Sequence, residues 1–397
     1  MIILNKTDIV PSAGLEKYLI ESMEKGIKVE TPTDELAFAQ RRQNDALAVL
    51  RNEYGIDNPN SNKQLAEYAL ASRDDLLLSI VQDPKSGKIS FAKENMARLL
   101  ETDIPFAGVL KRYKDATSLI KAVTMIMKCQ LPDGRVHPTV STVNTNRISY
   151  TEPPLMNIDK RILWKMVKSR NEGWELWSVD VKNQEPWIFA HLVGDEVLTD
   201  IVKEAYMRKE SFYKVVFERV YGRPVENDYE YKELKTGWNM LTYGGTKKGL
   251  IERCKAIDGA KLYDFLTKLP AYKQYNAACY SKAARGINTD STYFGSAVHS
   301  DAFGTSALAR SLADIAIQGT GADILAFLVA HINNEINDDP ALRNRVEIYY
   351  TRHDEIIFMI KRNENESDEE ITQLLKDLTS HMISGWVPFM TDVEKID

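Results

Sequence analysis

Cysteine is scarce in this chain. Its three residues, Cys129, Cys254 and Cys279, stand far apart with no Cys-x-x-Cys spacing. That excludes a zinc-finger framework and a disulfide scaffold, and a reducing compartment suits it. No unbroken apolar run reaches the roughly 20 residues that cross a bilayer. The start, Met1-Ile2-Ile3-Leu4-Asn5-Lys6, has neither the apolar core nor the cleavage site of a signal peptide. A soluble, cytoplasmic protein without membrane contact is the expectation. Positive charge is not in excess either, with 51 Lys and Arg against 57 Asp and Glu and a net charge of −6. Affinity for nucleic acid comes largely from cations against phosphate, so any such surface must be local. Three basic stretches qualify: Lys111, Arg112, Lys114 and Lys121; Lys160, Arg161, Lys165, Lys168 and Arg170; and Lys247, Lys248, Arg253 and Lys255. Each alone reads as a solvated helix face. A phosphate-binding loop is also missing, because neither Gly244-Gly245-Thr246-Lys247-Lys248-Gly249 nor Ser86-Gly87-Lys88-Ile89 has the required order.

What is present is length and pattern. With 397 residues, 44% of them hydrophobic, the chain can bury more than one core. Residues 15–130 read as mostly helical, with polar loops around 58–62 and at Asp83-Pro84-Lys85-Ser86-Gly87. The segment 134–158, rich in Thr, Val, Ser and Asn, reads as extended structure with turns. A helix-rich insert is expected over 198–289. Ser306 to Ile336 has helical periodicity interrupted at Gly319-Thr320-Gly321, and Val346 to Ile360 alternates as a hairpin around Arg352-His353-Asp354-Glu355. The acidic segment Asn363 to Glu370 reads as a solvated loop.

Two carboxylate motifs carry the chemistry. Leu176-Trp177-Ser178-Val179 alternates into Asp180 at a strand end, and Gln184 to Leu192 then turns helical and stops at Gly194, which puts Glu185 in the first helical turn. A strand-end aspartate alone is more often a turn former or helix cap. His353-Asp354-Glu355 changes the balance, since two adjacent acids in a tight turn between apolar strands are costly unless a cation compensates. Paired aspartates can hold two Mg²⁺ ions between an attacking oxygen and a departing pyrophosphate. Between the motifs, Tyr231, Lys235, Asn239 and Tyr243 recur every four residues on one helical stripe ending at Gly244-Gly245. A lysine in mid-stripe can hold a triphosphate, and a tyrosine near the end can stack on a base.

The motif order resembles the polymerase portion of family-A DNA polymerases. Asp180 to Glu185 continuing to Asp195 is similar to the family's first motif, Lys235 to Gly244 to its fingers helix, Gln318 to Ile324 to a palm helix, and His353-Asp354-Glu355 to its last catalytic motif. Gly134 to His137, Thr145 to Ser149 and Pro154 to Ile158 resemble the segment gripping the primer-template. The resemblance implies an α+β, right-hand architecture with an antiparallel palm sheet and helical fingers and thumb. Its implied divisions are 1–130 for the N-terminal lead and thumb, 131–197 with 290–397 for the palm, and 198–289 for the fingers.

The same resemblance implies residue roles. Asp180 and Asp354 would bind two Mg²⁺ ions, for which Mn²⁺ could substitute, with the Val181 carbonyl completing the site and Glu355 assisting. Lys235 would bind phosphates and act in catalysis, Glu185 would exclude a ribose 2′-hydroxyl, and Tyr231, Lys232, Asn239 and Tyr243 would complete the nucleotide site. Arg147, Asn157, Arg310, Gln318 and His353 would contact DNA, several through minor-groove acceptors common to all base pairs. The implied partners are primer-template DNA, dNTPs and accessory replication proteins, in a bacterial or phage-infected cell. A proofreading exonuclease domain is not expected, because thumb-like sequence begins near Met23. Departures cluster at the phosphate side. The family usually has Arg at the position of Tyr231, His at that of Phe212 and an aromatic at that of Asn239. Lys232, or Lys209 with Arg208, is expected to substitute in part. Two other readings stand beside the polymerase: a weakened primer-template binding module, and a single-subunit RNA polymerase, against which Glu185 argues.

Overall fold

The computed structural model describes residues 1–8, 12–83, 86–100 and 102–396, so Pro84 and Lys85 of the expected polar loop lie outside it. Contacts divide the chain into two compact units. One comprises Met1–Ile27, His137–Met156 and Ser169–Asp397, and the other Lys28–Val136 with Asn157–Lys168.

The second unit is helical, as its periodicity predicts. Helices Thr33–Tyr54 and Pro105–Cys129 pack along one another. Leu50, Leu65, Leu77, Phe106 and Leu110 form their shared core, and each such side chain contributes about 1.5–3 kcal/mol through burial. Ser61 and Asp74 cap two short helices by accepting from the main-chain NH groups of Gln64 and Leu77. Lys28 and Val29 pair with Lys168 and Val167, a short ladder that sequence periodicity did not reveal. Several cations of the two basic stretches here are already neutralised: Lys111 bonds Asp115, Arg161 bonds Asp159 and Lys165 lies 3.6 Å from Glu35.

The first unit is built on a four-stranded antiparallel sheet ordered Val346–Arg352, Glu355–Lys361, Trp174–Lys182, Met390–Ile396. Val179, Ile356, Ile357 and Phe358 of the central strands are buried; Glu355–Lys361 reads as a nearly continuous apolar run, whereas Trp174–Lys182 interrupts its apolar residues with Glu175, Ser178 and Asp180. The hairpin turn is His353-Asp354, with His353 at φ 56°, the left-handed conformation a two-residue turn demands. Arg170, expected among the surface cations, is instead built into this unit. It pairs with Glu347 at 2.8 Å and lies over the Tyr349 ring.

Helix Thr305–Asp338 runs 34 residues without interruption, so the break expected at Gly319-Thr320-Gly321 does not occur. The small residues serve close approach instead. A Cβ on Gly319 would sit 2.7 Å from Val298 Cγ1 and 2.8 Å from Thr292 Cγ2 of the hairpin 289–299. That hairpin is also pinned by Thr292 Oγ1 donating to Asp323 at 2.5 Å and by the Tyr293 NH donating to Thr320 Oγ1 at 2.9 Å. The helix is long and apolar enough by composition to cross a membrane, which corrects the expectation that no such segment exists, but 78% of its most apolar window is buried within the fold. The acidic segment likewise turns helical earlier than expected, since Ser367 and Glu370 form a reciprocal capping box opening helix Asp368–Thr379.

His381 lies in a strand that pairs in parallel with Ile2–Leu4. It is fully buried and stacked on Phe389, with Nδ1 at 2.8 Å from the Thr379 carbonyl and Nε2 without a partner. Burial pushes its imidazole down to about 4. The fold therefore requires the neutral ring: the stability it permits is present above pH 6.5 and is lost as pH falls towards 4. That interval corresponds to about 3 kcal/mol. Urea titrations between pH 7 and 4 should show a shallower acid loss in His381→Gln than in wild type, and superimposable pH dependences would refute this origin.

Candidate active site

The central strand Trp174–Lys182 carries Asp180 two residues before its end. Antiparallel register places Glu355 directly opposite Asp180 on one neighbour and Asp392 opposite it on the other. Directly opposed residues share a face, so three carboxylates cross this end of the sheet. Asp354 precedes Glu355 in the turn, and its carbonyl accepts from the Val181 NH at 3.4 Å. The sheet thereby brings Asp180, Val181 and Asp354 to one place, as the motifs predict.

These acids differ in how they are held. Glu355 is buried and accepts a short hydrogen bond from Ser178 Oγ. Asp392 is exposed and pairs with Lys182 at 3.1 Å. The Asp354 carboxyl is pushed above its ordinary range by burial, with Glu185 and Glu355 adding to the shift and Arg147 opposing it. His353 is held below its usual value by burial and by Arg352 and Arg147. Among the described residues no three His, Cys, Asp or Glu side chains converge as a metal cage. Two aspartates and a main-chain carbonyl are instead a partial, all-oxygen donor set. That suits Mg²⁺, which keeps several waters and takes one or two carboxylates plus substrate phosphates.

The lysine-bearing helix spans Asp228–Thr242, with Asn227 capping its start and Gly244, at φ 75°, following its end. Its apolar side, Leu234, Trp238 and Leu241, is buried, and along the stripe Lys235 is exposed while Tyr231, Asn239 and Tyr243 are half-buried. Tyr213, which the motif reading did not single out, ties that stripe together. Its hydroxyl donates to Asn239 Oδ1 at 3.4 Å, Lys235 Nζ lies 5.7 Å from its ring centroid, and its ring meets Tyr231 edge-on at 6.0 Å. The Tyr231 hydroxyl lies 2.8 Å from Ser211 Oγ. Phe212 turns the other way, fully buried against Trp187 and Trp238. A core side chain, not a weakened ligand, therefore occupies that position. Arg208 is unsuited as a substitute cation, because Glu204, Glu210 and Glu218 surround it. Lys209 and Lys232 are exposed.

Glu185 sits where the elements meet. One carboxylate oxygen accepts from Arg147 Nη2 at 2.7 Å and the other from the Tyr243 hydroxyl at 2.9 Å. The niche it lines with Phe189, Trp238, Asn239 and Tyr243 holds about 10 Å³, room for one water. Arg147, Gln318 and His353 line a larger cleft of about 250 Å³ in the same unit. Arg310 stands at the end of the lysine helix, its Cγ 3.1 Å from where a Gly244 Cβ would be. Asn157, exposed, belongs to the other unit. On the long helix, Arg310, Asp314 and Gln318 repeat every four residues, and Gln318 Nε2 donates to Asp314 Oδ2 at 2.8 Å. Asp314 escaped the motif reading, although the same four-residue spacing that marks the lysine stripe would have found it.

The sequence profile of DNA polymerase family A matches residues 36–394. Among solved structures, the chain is similar to the polymerase domain of Pol1 from M. smegmatis, with a TM-score of 0.75 and 22% identity over 97% of this chain and 69% of that one. No curated protein sequence matches. The profile covers nearly the whole chain and takes in the strand of Asp180, the lysine helix and the His353-Asp354-Glu355 turn: the chain belongs to DNA polymerase family A.

Proposed function

We propose that this chain extends a DNA primer with dNTPs as directed by a DNA template, using two Mg²⁺ ions. The observation that carries the reading is the pairing of Asp180's strand with the Glu355 strand, which sets Asp180 and Asp354 at one sheet end in a family-A polymerase. The similar Pol1 domain was solved with DNA primer-template and dNTP, and the same partners are proposed here. In the family's terms we assign 131–197 and 290–397 to the palm, 198–289 to the fingers and 1–130 to the N-terminal lead and thumb, the lead Met1–Ile27 belonging to the unit that carries the sheet.

Asp180, Asp354 and the Val181 carbonyl would hold the metal ions. Bound there, Mg²⁺ supplies activation of the primer 3′-hydroxyl and neutralisation of the developing pyrophosphate charge. Lys235 meets the triphosphate from the lysine helix and stands ready to protonate the leaving group, while Tyr213 fixes its approach through ring contact. Glu185 lies beside the sugar. Arg147, Arg310, Gln318 and His353 would follow the duplex, and Lys232 would add charge near the phosphates.

Glu185→Ala should raise incorporation of rNTPs relative to dNTPs by about 10–100-fold, the scale on which one small group's fit discriminates in a pocket. Single-nucleotide addition with matched dNTP and rNTP measures the ratio. An unchanged ratio in a variant that still uses dNTPs would remove Glu185 as the sugar gate, and a wild type that prefers rNTPs would favour an RNA polymerase.

A further inference from the structure

Arg147 is presented by a tight loop between strands Thr139–Thr142 and Ile148–Thr151, which pair antiparallel. The Val143 NH donates to the Arg147 carbonyl at 3.0 Å, and the Asn146 NH to the Val143 carbonyl at 2.8 Å. Asn146 thus fills the last place of a three-residue loop, and its φ of 58° is the left-handed conformation such a loop demands there. Glycine would meet that demand with no Cβ to accommodate. What asparagine adds is an amide, whose Nδ2 donates to the Ala297 carbonyl at 3.2 Å in the hairpin 289–299.

That hairpin is a fixed anchor, because Thr292 and Tyr293 bond it to Asp323 and Thr320 of the long helix and Gly319 leaves room for it. It holds the other end of the loop as well. The Asn144 carbonyl accepts from the His299 NH at 3.2 Å, and Asn144 Nδ2 donates to Asp301. Thr145 between the two asparagines is buried, its carbonyl 3.5 Å from where a Gly319 Cβ would be. Arg147 follows directly, with Nη2 donating to Glu185 Oε1 at 2.7 Å. A loop displacement of about 1 Å would carry that contact beyond hydrogen-bond range. The long side chain could recover it only by giving up rotamer freedom.

We infer that Asn146 is a positioning residue for sugar selection: its bond to Ala297 holds the Arg147 loop on the hairpin 289–299, and Arg147 in turn holds Glu185 in place beside the incoming sugar. The inference rests on the reading of Glu185 as the sugar gate. A guanidinium carries several N–H donors, so the bond to Glu185 leaves others for the duplex.

The test is single-nucleotide addition with matched dNTP and rNTP by wild type, Asn146→Gly, Arg147→Ala, Glu185→Ala and the double variant Asn146→Gly with Arg147→Ala, each also melted. Glycine keeps the left-handed backbone and removes only the amide, so melting should stay at the wild-type value. Use of rNTP relative to dNTP should rise about threefold in Asn146→Gly, the scale of one neutral hydrogen bond in contact with water. Arg147→Ala should raise the ratio at least as far, and adding Asn146→Gly to it should raise it no further, because both changes act through one contact. A wild-type ratio in Asn146→Gly beside a raised ratio in Glu185→Ala would overturn the inference and leave the gate standing. A further rise on adding Asn146→Gly to Arg147→Ala would overturn it too, since Asn146 would then act by another route. An unchanged ratio in Glu185→Ala would overturn the gate and the inference together.

Discussion

Asp180→Asn and Asp354→Asn each lower single-turnover primer extension by about 10³-fold or more, with primer-template affinity retained. The magnitude corresponds to several kcal/mol of transition-state charge stabilisation that leaves with a metal ligand. The amide keeps the carboxyl's shape, so the register of strands Trp174–Lys182 and Glu355–Lys361 should survive. Asp354 gives the sharper version. Burial holds its carboxyl above the ordinary range, so its ionised form costs the metal-free fold stability, and that cost grows as pH rises through the folded value. Asp354→Asn should therefore melt no lower than wild type at pH 7 in EDTA while losing extension. A variant with near-normal extension, or one that loses activity only because it unfolds, would contradict this role.

Lys235→Ala should cost about 10²–10³-fold in extension, the range for removing one preorganised group that meets transition-state charge. The large value follows from what surrounds it. At position 231 stands a tyrosine bonded to Ser211, position 212 faces the core, and Arg208 is held by three glutamates. Lys235 therefore carries a greater share of phosphate binding than a lysine with cationic neighbours would. Saturation with dNTP should recover only part of the loss, because the lysine acts on the leaving pyrophosphate as well as on the bound triphosphate. Lys235→Arg should restore binding better than turnover, since guanidinium keeps the charge but holds its protons. A loss below about threefold would shift the phosphate contact to Lys209 or Lys232.

The carboxylate hairpin and the lysine stripe were legible in the sequence because each rests on local periodicity, alternation around a two-residue turn and a four-residue repeat. The partners of those elements were not. Strand Met390–Ile396 brings Asp392 opposite Asp180 across more than 200 residues of chain, and nothing in its own seven residues states that pairing. The side of helix Phe212–Tyr221 that meets the core is decided by Trp187 and Trp238, so Phe212 could be read as a ligand position and Tyr213 passed over. Glycines 319 and 321 look like helix breakers in isolation. Against the hairpin 289–299 and Gln184 they are the residues small enough to let neighbours approach.

The account stands most directly on template-directed addition by the wild-type chain. Four primer-template duplexes differing only at the first templating base, each offered the four dNTPs one at a time with Mg²⁺, should each take up the complementary nucleotide. Addition of the same nucleotide whatever the template, or tight binding of all four duplexes with no addition in either Mg²⁺ or Mn²⁺, would contradict it.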